Sequence, residues 1–124
     1  MKKALIVGLN KYPAGNEMNW CDNDATAMSG LLESNGDGSP NFDVIQIIDK
    51  CDHVKLSNAI CKLFSDDADI ALLYYSGHGS DEDGGYLVTT DCDKGDIGVK
   101  MTEVLERANG SRCKNKIVIL DQCH

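Results

Sequence analysis

Two reactive side chains stand at the ends of apolar runs. His78 sits in Ser76-Gly77-His78-Gly79, directly after the run 70–75, and Cys123 sits in Asp121-Gln122-Cys123-His124, directly after the run 117–120. A thiolate is a strong nucleophile when a base or orienting imidazole lies within reach and when it is spared burial in apolar core. Neighbouring parallel strands lie roughly 5 Å apart. If the two runs are adjacent strands, His78 and Cys123 emerge from loops at one sheet edge, close enough to cooperate. The glycines around His78 would let a substrate carbonyl approach the backbone. The N–H groups of Gly79 and Cys123 would then form an oxyanion hole. The competing account is coincidence, because the chain has three histidines and six cysteines. His53 reads as a solvated residue of a helix's first turn, and His124 as a mere neighbour of Cys123.

The elements that must position these groups alternate in kind. Runs 4–9, 44–48, 70–75 and 117–120 are rich in Ile, Val, Leu and Tyr and barely alternate with polar residues. That is the pattern of strands buried on both faces of a parallel sheet. Between them lie helical periods. Residues 22–34 place Ala25, Met28, Leu31 and Leu32 on one face, and Asn35-Gly36 supplies a stop. Residues 52–65 place Leu56, Ile60, Leu63 and Phe64 on one face, with Asp52 as N-cap. Residues 102–108 place Val104, Leu105 and Ala108 together, ending at Asn109-Gly110. The order predicts an α/β domain over residues 1–124 with a mostly parallel sheet flanked by helices. Three stretches read as long loops: 10–20, the polar 77–85, and the acidic 90–99, which follows a short hairpin around 86–89. Ligands of such sheets bind beyond the carboxyl ends of the strands.

Composition sets the outer limits. The chain has 124 residues, 42% hydrophobic and 26% charged, which is an ordinary globular balance for one domain. Twelve Lys and Arg against 20 Asp and Glu give a net charge of −8. The scattered basic residues make no basic face, so nucleic acid is not an expected partner. No apolar run is long enough to span a membrane, and the first apolar run meets no signal-peptide cleavage pattern. The cysteines Cys21, Cys51, Cys61, Cys92, Cys113 and Cys123 form no CxxC pair. They read as reduced thiols of a cytoplasmic protein rather than as a disulfide or zinc framework.

Three segments in order carry a family resemblance. They are Ala4-Leu5-Ile6-Val7-Gly8-Leu9-Asn10-Lys11-Tyr12 with Asn23-Asp24-Ala25, then Leu73-Tyr74-Tyr75-Ser76-Gly77-His78-Gly79, then Ile117-Val118-Ile119-Leu120-Asp121-Gln122-Cys123-His124. Together they resemble the caspase-like cysteine peptidases, in particular the metacaspase and orthocaspase branch. The resemblance spans nearly the whole chain. It implies the caspase-like three-layer sandwich and a cysteine endopeptidase with a Cys/His dyad. By position Cys123 would be the nucleophile, His78 the general acid and base, and the Gly79 and Cys123 N–H groups the oxyanion donors. Asp24 and Asp121 match the acids of the metacaspase pocket for arginine or lysine, with Cys21 and Ser76 matching its other lining positions. A carboxylate pair in a partly desolvated pocket selects a guanidinium or ammonium, which agrees with that reading. The blander roles are a first-turn helix acid for Asp24 and a strand-end cap for Asp121.

The resemblance also raises calcium, since many metacaspases are activated by it. Asp81, Glu82, Asp83, Asp91, Asp93 and Asp96 offer oxygen ligands. Residues 91–102 nevertheless fail the EF-hand pattern, because Gly95 precedes Asp96 and Thr102 stands where a bidentate Glu is needed. The paired aspartates that metacaspases carry after this loop are also missing, with Gly98-Val99-Lys100 near that place. The acidic loop reads as solvated, no metal ligands are assigned, and the chemistry itself calls for no cofactor. In the resembled family a smaller subunit follows the catalytic cysteine. The expectation is therefore that residues 1–124 are the larger-subunit part, with 117–120 as an apolar edge needing that segment or another caspase-like chain. The expected substrates are polypeptides with a basic residue before the cut, and no membrane is involved. Two rival readings are a non-catalytic caspase-like interaction module and a small-molecule binder on the same sheet edge. Retention of both Cys123 and His78 weighs against the first, and the absence of GxGxxG and P-loop motifs against the second.

Overall fold

The computed structural model describes residues 1–13, 15–94 and 97–123, with the Cys123 side chain outside that description. The elements in chain order are β1 (Lys2–Leu9), α1 (Cys21–Glu33), β2 (Asp43–Asp49), α2 (His53–Leu63), β3 (Ile70–Ser80), β4 (Tyr86–Val88), β5 (Gly98–Lys100), α3 (Met101–Asn109) and β6 (Asn115–Cys123). The described residues form a six-stranded sheet. Its parallel part runs β2-β1-β3-β6, and β4 and β5 extend it antiparallel from the end of β3.

Strand alternation divides the sheet into two faces. Leu5, Val7 and Leu9 of β1 and Ala71, Leu73 and Tyr75 of β3 pack with Leu56, Ile60 and Leu63 of α2 and Val104 and Ala108 of α3. Ala4 and Ile6 with Leu72 and Tyr74 pack on the other face against Ala25, Met28 and Leu32 of α1. The result is helix, sheet, helix, the three layers of the caspase-like fold. Asp52 caps α2 as its sequence position indicates, accepting the Lys55 N–H at 2.7 Å. The start of α1 is held differently: the Cys21 N–H donates to Asn10 Oδ1 at 3.0 Å. Gly8 lets that helix come close, because a Cβ there would lie 2.2 Å from the Cys21 carbonyl oxygen.

Several sequence expectations need correction. β3 runs through His78 to Ser80 and β6 through Cys123, so neither residue emerges from a loop. The polar ends are extended because partners exist for their backbones: β6 pairs β3 as far as His78 with Cys123, and β4 pairs Gly79 and Ser80. Gly98 and Val99, expected at the end of the loop 90–99, belong to β5. Leu31 and Leu105 are 74% and 51% exposed, and Ser29 takes the inward place on α1. β2 and β6 are not buried on both faces, since Ile45, Ile117 and Ile119 stay exposed. Both strands border the sheet among the described residues, and α1 lies over β1 and β2, leaving this face of β6 open.

Candidate active site

The carboxyl ends of β3 and β6, the segment 17–20 and the first turn of α1 meet around one cleft of about 430 Å³. Cys21, Asp24, Ser76, His78 and Asp121 all line it. The four expected pocket residues and the expected histidine are thus brought together from three distant segments. Register explains this convergence. Ser76 stands opposite Asp121 and His78 opposite Cys123 on neighbouring parallel strands. Asp24, one helical turn into α1, reaches the same face and accepts the Ser76 hydroxyl at 3.3 Å. The charged side chains described in this lining are Glu17, Asp24 and Asp121, all acidic, apart from the His78 imidazole.

Tyr74 lies beneath these acids. Its hydroxyl donates to Asp121 Oδ2 at 3.4 Å. Burial, then the negative charges of Asp121 and Asp24, push its pKa up to about 12. Tyr74 therefore stays a neutral donor to Asp121 and never adds an anion to the cleft. Its perturbation also registers the negative field that the two carboxylates set up there.

His78 is fixed from three sides. Its Nε2 lies 2.6 Å from the Asn16 carbonyl oxygen, which can only accept. The proton is therefore assigned to Nε2, and Nδ1 carries the basic lone pair. The Tyr12 ring meets the imidazole edge-on, with centroids 4.4 Å apart. The His78 backbone N–H donates to Tyr12 Oη at 3.0 Å. Tyr75 Oη lies 2.6 Å from the His78 carbonyl oxygen and 3.0 Å from Tyr12 Oη. Both phenols also reach the Val88 carbonyl, at 2.9 Å and 2.7 Å. Two phenolic protons are thus shared among the Val88 and His78 carbonyls and each other's oxygens. Burial raises the Tyr12 pKa to about 12 and moves Tyr75 further in the same direction. Gly77 makes room for the pair, since a Cβ there would sit 2.6 Å from Tyr12 Oη and 2.7 Å from Tyr75 Oη.

Gly79 follows in β3 opposite Leu87, with the Gln122 side chain packed over the place its Cβ would occupy. The Cys123 side chain and His124 lie outside the described residues, as do Gly95 and Asp96 of the acidic loop. Asp91 of that loop is engaged locally, accepting from the Thr89 hydroxyl at 2.6 Å and the His53 N–H at 3.3 Å. Among the described residues no three His, Cys, Asp or Glu side chains converge as a metal site. Elsewhere, burial raises the pKa of the buried Cys51 thiol to about 11 and moves that of the half-buried Cys92 the same way.

Sequence reasoning missed Tyr12, Tyr75 and Asn16 as the mounting of His78, Tyr74 as the buried partner of Asp121, and Trp20 as part of the cleft lining. Tyr12 and Tyr75 were visible as aromatics beside the motif residues. Asn16 acts through its carbonyl, which any residue carries, so its type held no signal.

An open, mostly parallel α/β sheet with helices on both faces and its polar groups gathered at the strands' carboxyl ends defines a class of domain that acts on a ligand at that edge. The family model for the caspase domain matches residues 1–124, and the chain belongs to the caspase domain family. That membership carries a cysteine-peptidase type of hydrolytic function with protein substrates. Comparison with curated proteins finds no match. No helix among the described residues is long and apolar enough to cross a membrane.

Proposed function

We propose that this domain is a cysteine endopeptidase of the metacaspase or orthocaspase type that cuts after arginine or lysine. The observation carrying the proposal is the shared cleft of Asp24, Ser76, Asp121 and His78, whose other charged wall is Glu17. Two carboxylates at its walls suit a cationic side chain, and the Ser76 hydroxyl and Cys21 complete the lining. Cys123, opposite His78 in register, is the nucleophile. Its thiolate attacks the scissile carbonyl, and the electron pair moves onto oxygen, stabilised by the Gly79 and Cys123 N–H groups. The His78 imidazolium then gives its Nδ1 proton to the leaving amine as the C–N bond breaks. Water, deprotonated by the same nitrogen, hydrolyses the thioester and restores the thiol.

No cofactor takes part in these steps. Calcium is assigned no ligand, and Asp91 is already committed to Thr89 and His53. Among the described residues β6 pairs only β3, so its other edge fits a further strand. That strand comes from the smaller-subunit segment of a caspase-like domain or from another caspase-like chain. The thiols of Cys51, Cys61, Cys92 and Cys113 support a reducing, cytoplasmic setting.

The test is cleavage of fluorogenic peptides ending in Arg, Lys or Asp, with and without calcium, by the wild-type protein, Cys123→Ala and Asp121→Ala. The expected result is Cys123-dependent cleavage after Arg and Lys, with basic preference lost in Asp121→Ala while Cys123 still alkylates. Arg preference surviving in Asp121→Ala refutes the pocket assignment. Cleavage surviving in Cys123→Ala refutes the nucleophile.

A further inference from the structure

The chain's single tryptophan is in an unexpected place. Trp20 is 71% exposed, among the most solvent-facing of the large apolar side chains. It belongs to neither core cluster, and as N-cap residue of α1 it makes no side-chain capping bond. It does line the acidic cleft. Its carbonyl accepts the Asp24 N–H at 2.9 Å, the first i to i+4 bond of the helix. Trp20 and Asp24 are therefore joined across the opening turn of α1. The indole and the exposed carboxylates of Asp24 and Asp121 line the same cleft.

We propose that Trp20 is a specificity-determining residue whose indole stacks on a guanidinium held by Asp24 and Asp121, so that the pocket prefers arginine over lysine. The inference rests on the basic-pocket reading above and narrows it. A guanidinium is planar and weakly hydrated, and it uses its edges to bond carboxylates. Its faces stay available for an aromatic ring within about 6 Å. An ammonium is a compact, strongly hydrated charge with no face to stack, and it gains less from the indole. Tryptophan is the aromatic best suited to this contact. The position also accounts for the exposure, since a ring that serves an incoming ligand cannot be covered by the fold.

Because Trp20 is the sole tryptophan, its emission and its one indole N–H resonance report on the cleft without interference. The probes are n-butylguanidinium and n-pentylammonium, which match the two side chains. The wild-type protein is titrated with each by fluorescence and by two-dimensional NMR. Trp20→Leu and Trp20→Phe are then titrated by NMR alone. Exposure of Trp20 means neither substitution disturbs the core. The expected result is saturable, indole-perturbing binding of the guanidinium that is tighter than that of the ammonium. The ratio of the two affinities should fall about fivefold in Trp20→Leu and be largely kept in Trp20→Phe. An unchanged ratio in Trp20→Leu, with guanidinium still bound, overturns the role of Trp20 and leaves the acidic pocket standing. Loss of both ligands equally in Trp20→Leu also overturns it, because a general apolar contact would then be at work. Absence of binding by either probe to the wild-type protein defeats the pocket reading itself, and this inference with it.

Discussion

Replacing Tyr12 by phenylalanine removes one oxygen and nothing else, which makes its cost tractable. Tyr12 Oη accepts the His78 N–H at 3.0 Å, contacts Tyr75 Oη at 3.0 Å and donates to the Val88 carbonyl at 2.9 Å. The ring's edge contact with the imidazole survives, so no cavity opens. Tyr75 keeps its proton but has two carbonyls to serve, those of His78 and Val88. The unreplaced loss is the acceptor for the His78 N–H, together with one underserved carbonyl. An orphaned buried backbone group costs about 1–3 kcal/mol, and relief of one buried hydroxyl trims that, leaving about 2 kcal/mol. With an unfolding entropy near 2.1 cal/mol/K per residue over the chain, this lowers Tm by about 8 °C. The assay is a reversible thermal melt followed by circular dichroism, with Tyr12→Leu as the variant that also loses the ring. Tyr12→Phe should also slow alkylation of Cys123, since His78 is then held by fewer bonds. A Tm within about 1 °C of wild type would refute the reasoning, because the His78 N–H would have found another acceptor at no cost.

Other outcomes follow from equally local features. Gly8→Ala should cost about 3 kcal/mol in urea unfolding, because its Cβ would meet the Cys21 carbonyl oxygen at 2.2 Å and α1 must retreat. Gly30→Ala on the same helix, with nothing within 4 Å of the new methyl, should instead stabilise by roughly 0.5–1 kcal/mol in the same assay. Asp52→Ala should lose about 1 kcal/mol through the uncapped Lys55 N–H, read by the same unfolding curves. Stability should fall steeply above pH 10. Tyr12 and Tyr74 keep their protons to about 12 in the folded protein, against 10.0 ordinarily, so the unfolded chain binds fewer protons in that window. Each tyrosine then contributes a loss of ~1.4 kcal/mol per pH unit, measurable by unfolding at stepped pH.

Much of the architecture was legible because it is written in side-chain pattern. The apolar runs of β1 and β3 mark strands that have neighbours on both sides and core on both faces. Leu56, Ile60 and Leu63 trace the buried stripe of α2, and Asp52 marks its start. Pattern failed where neighbours rather than composition decide conformation. Ser76 to Ser80 is small and polar and reads as loop, yet β4 and β6 supply bonds that keep it extended. Leu31 and Leu105 fit a helical stripe by spacing but fall beyond the width of sheet that their helices cover. At the site, His78 could be set beside the end of the last strand because strand ends of a parallel sheet share one edge, whereas Asp24, Ser76 and Asp121 were legible only through the family resemblance. The grip of Asn16 on His78 was invisible, since a carbonyl has no letter of its own. Trp20 was legible only as a residue before a helix, because its importance depends on what stands a turn away and across the sheet.

The pairing of β3 with β6 has a consequence in time. Protein chains emerge from the ribosome amino end first, and parallel strands pair only after the intervening crossover has formed. β1, β2 and β3 can assemble with α1 and α2 while the segment bearing Cys123 is still unmade. At that stage His78 already stands on its tyrosine mounting, with Asp24 beside Ser76, but Asp121 and the proposed nucleophile are absent. Docking of β6 therefore delivers the far wall of the cleft and the proposed nucleophile in one event, after the five strands before it have been made. Until that event His78 has no strand beside it to carry the proposed nucleophile, and the delay needs no inhibitor.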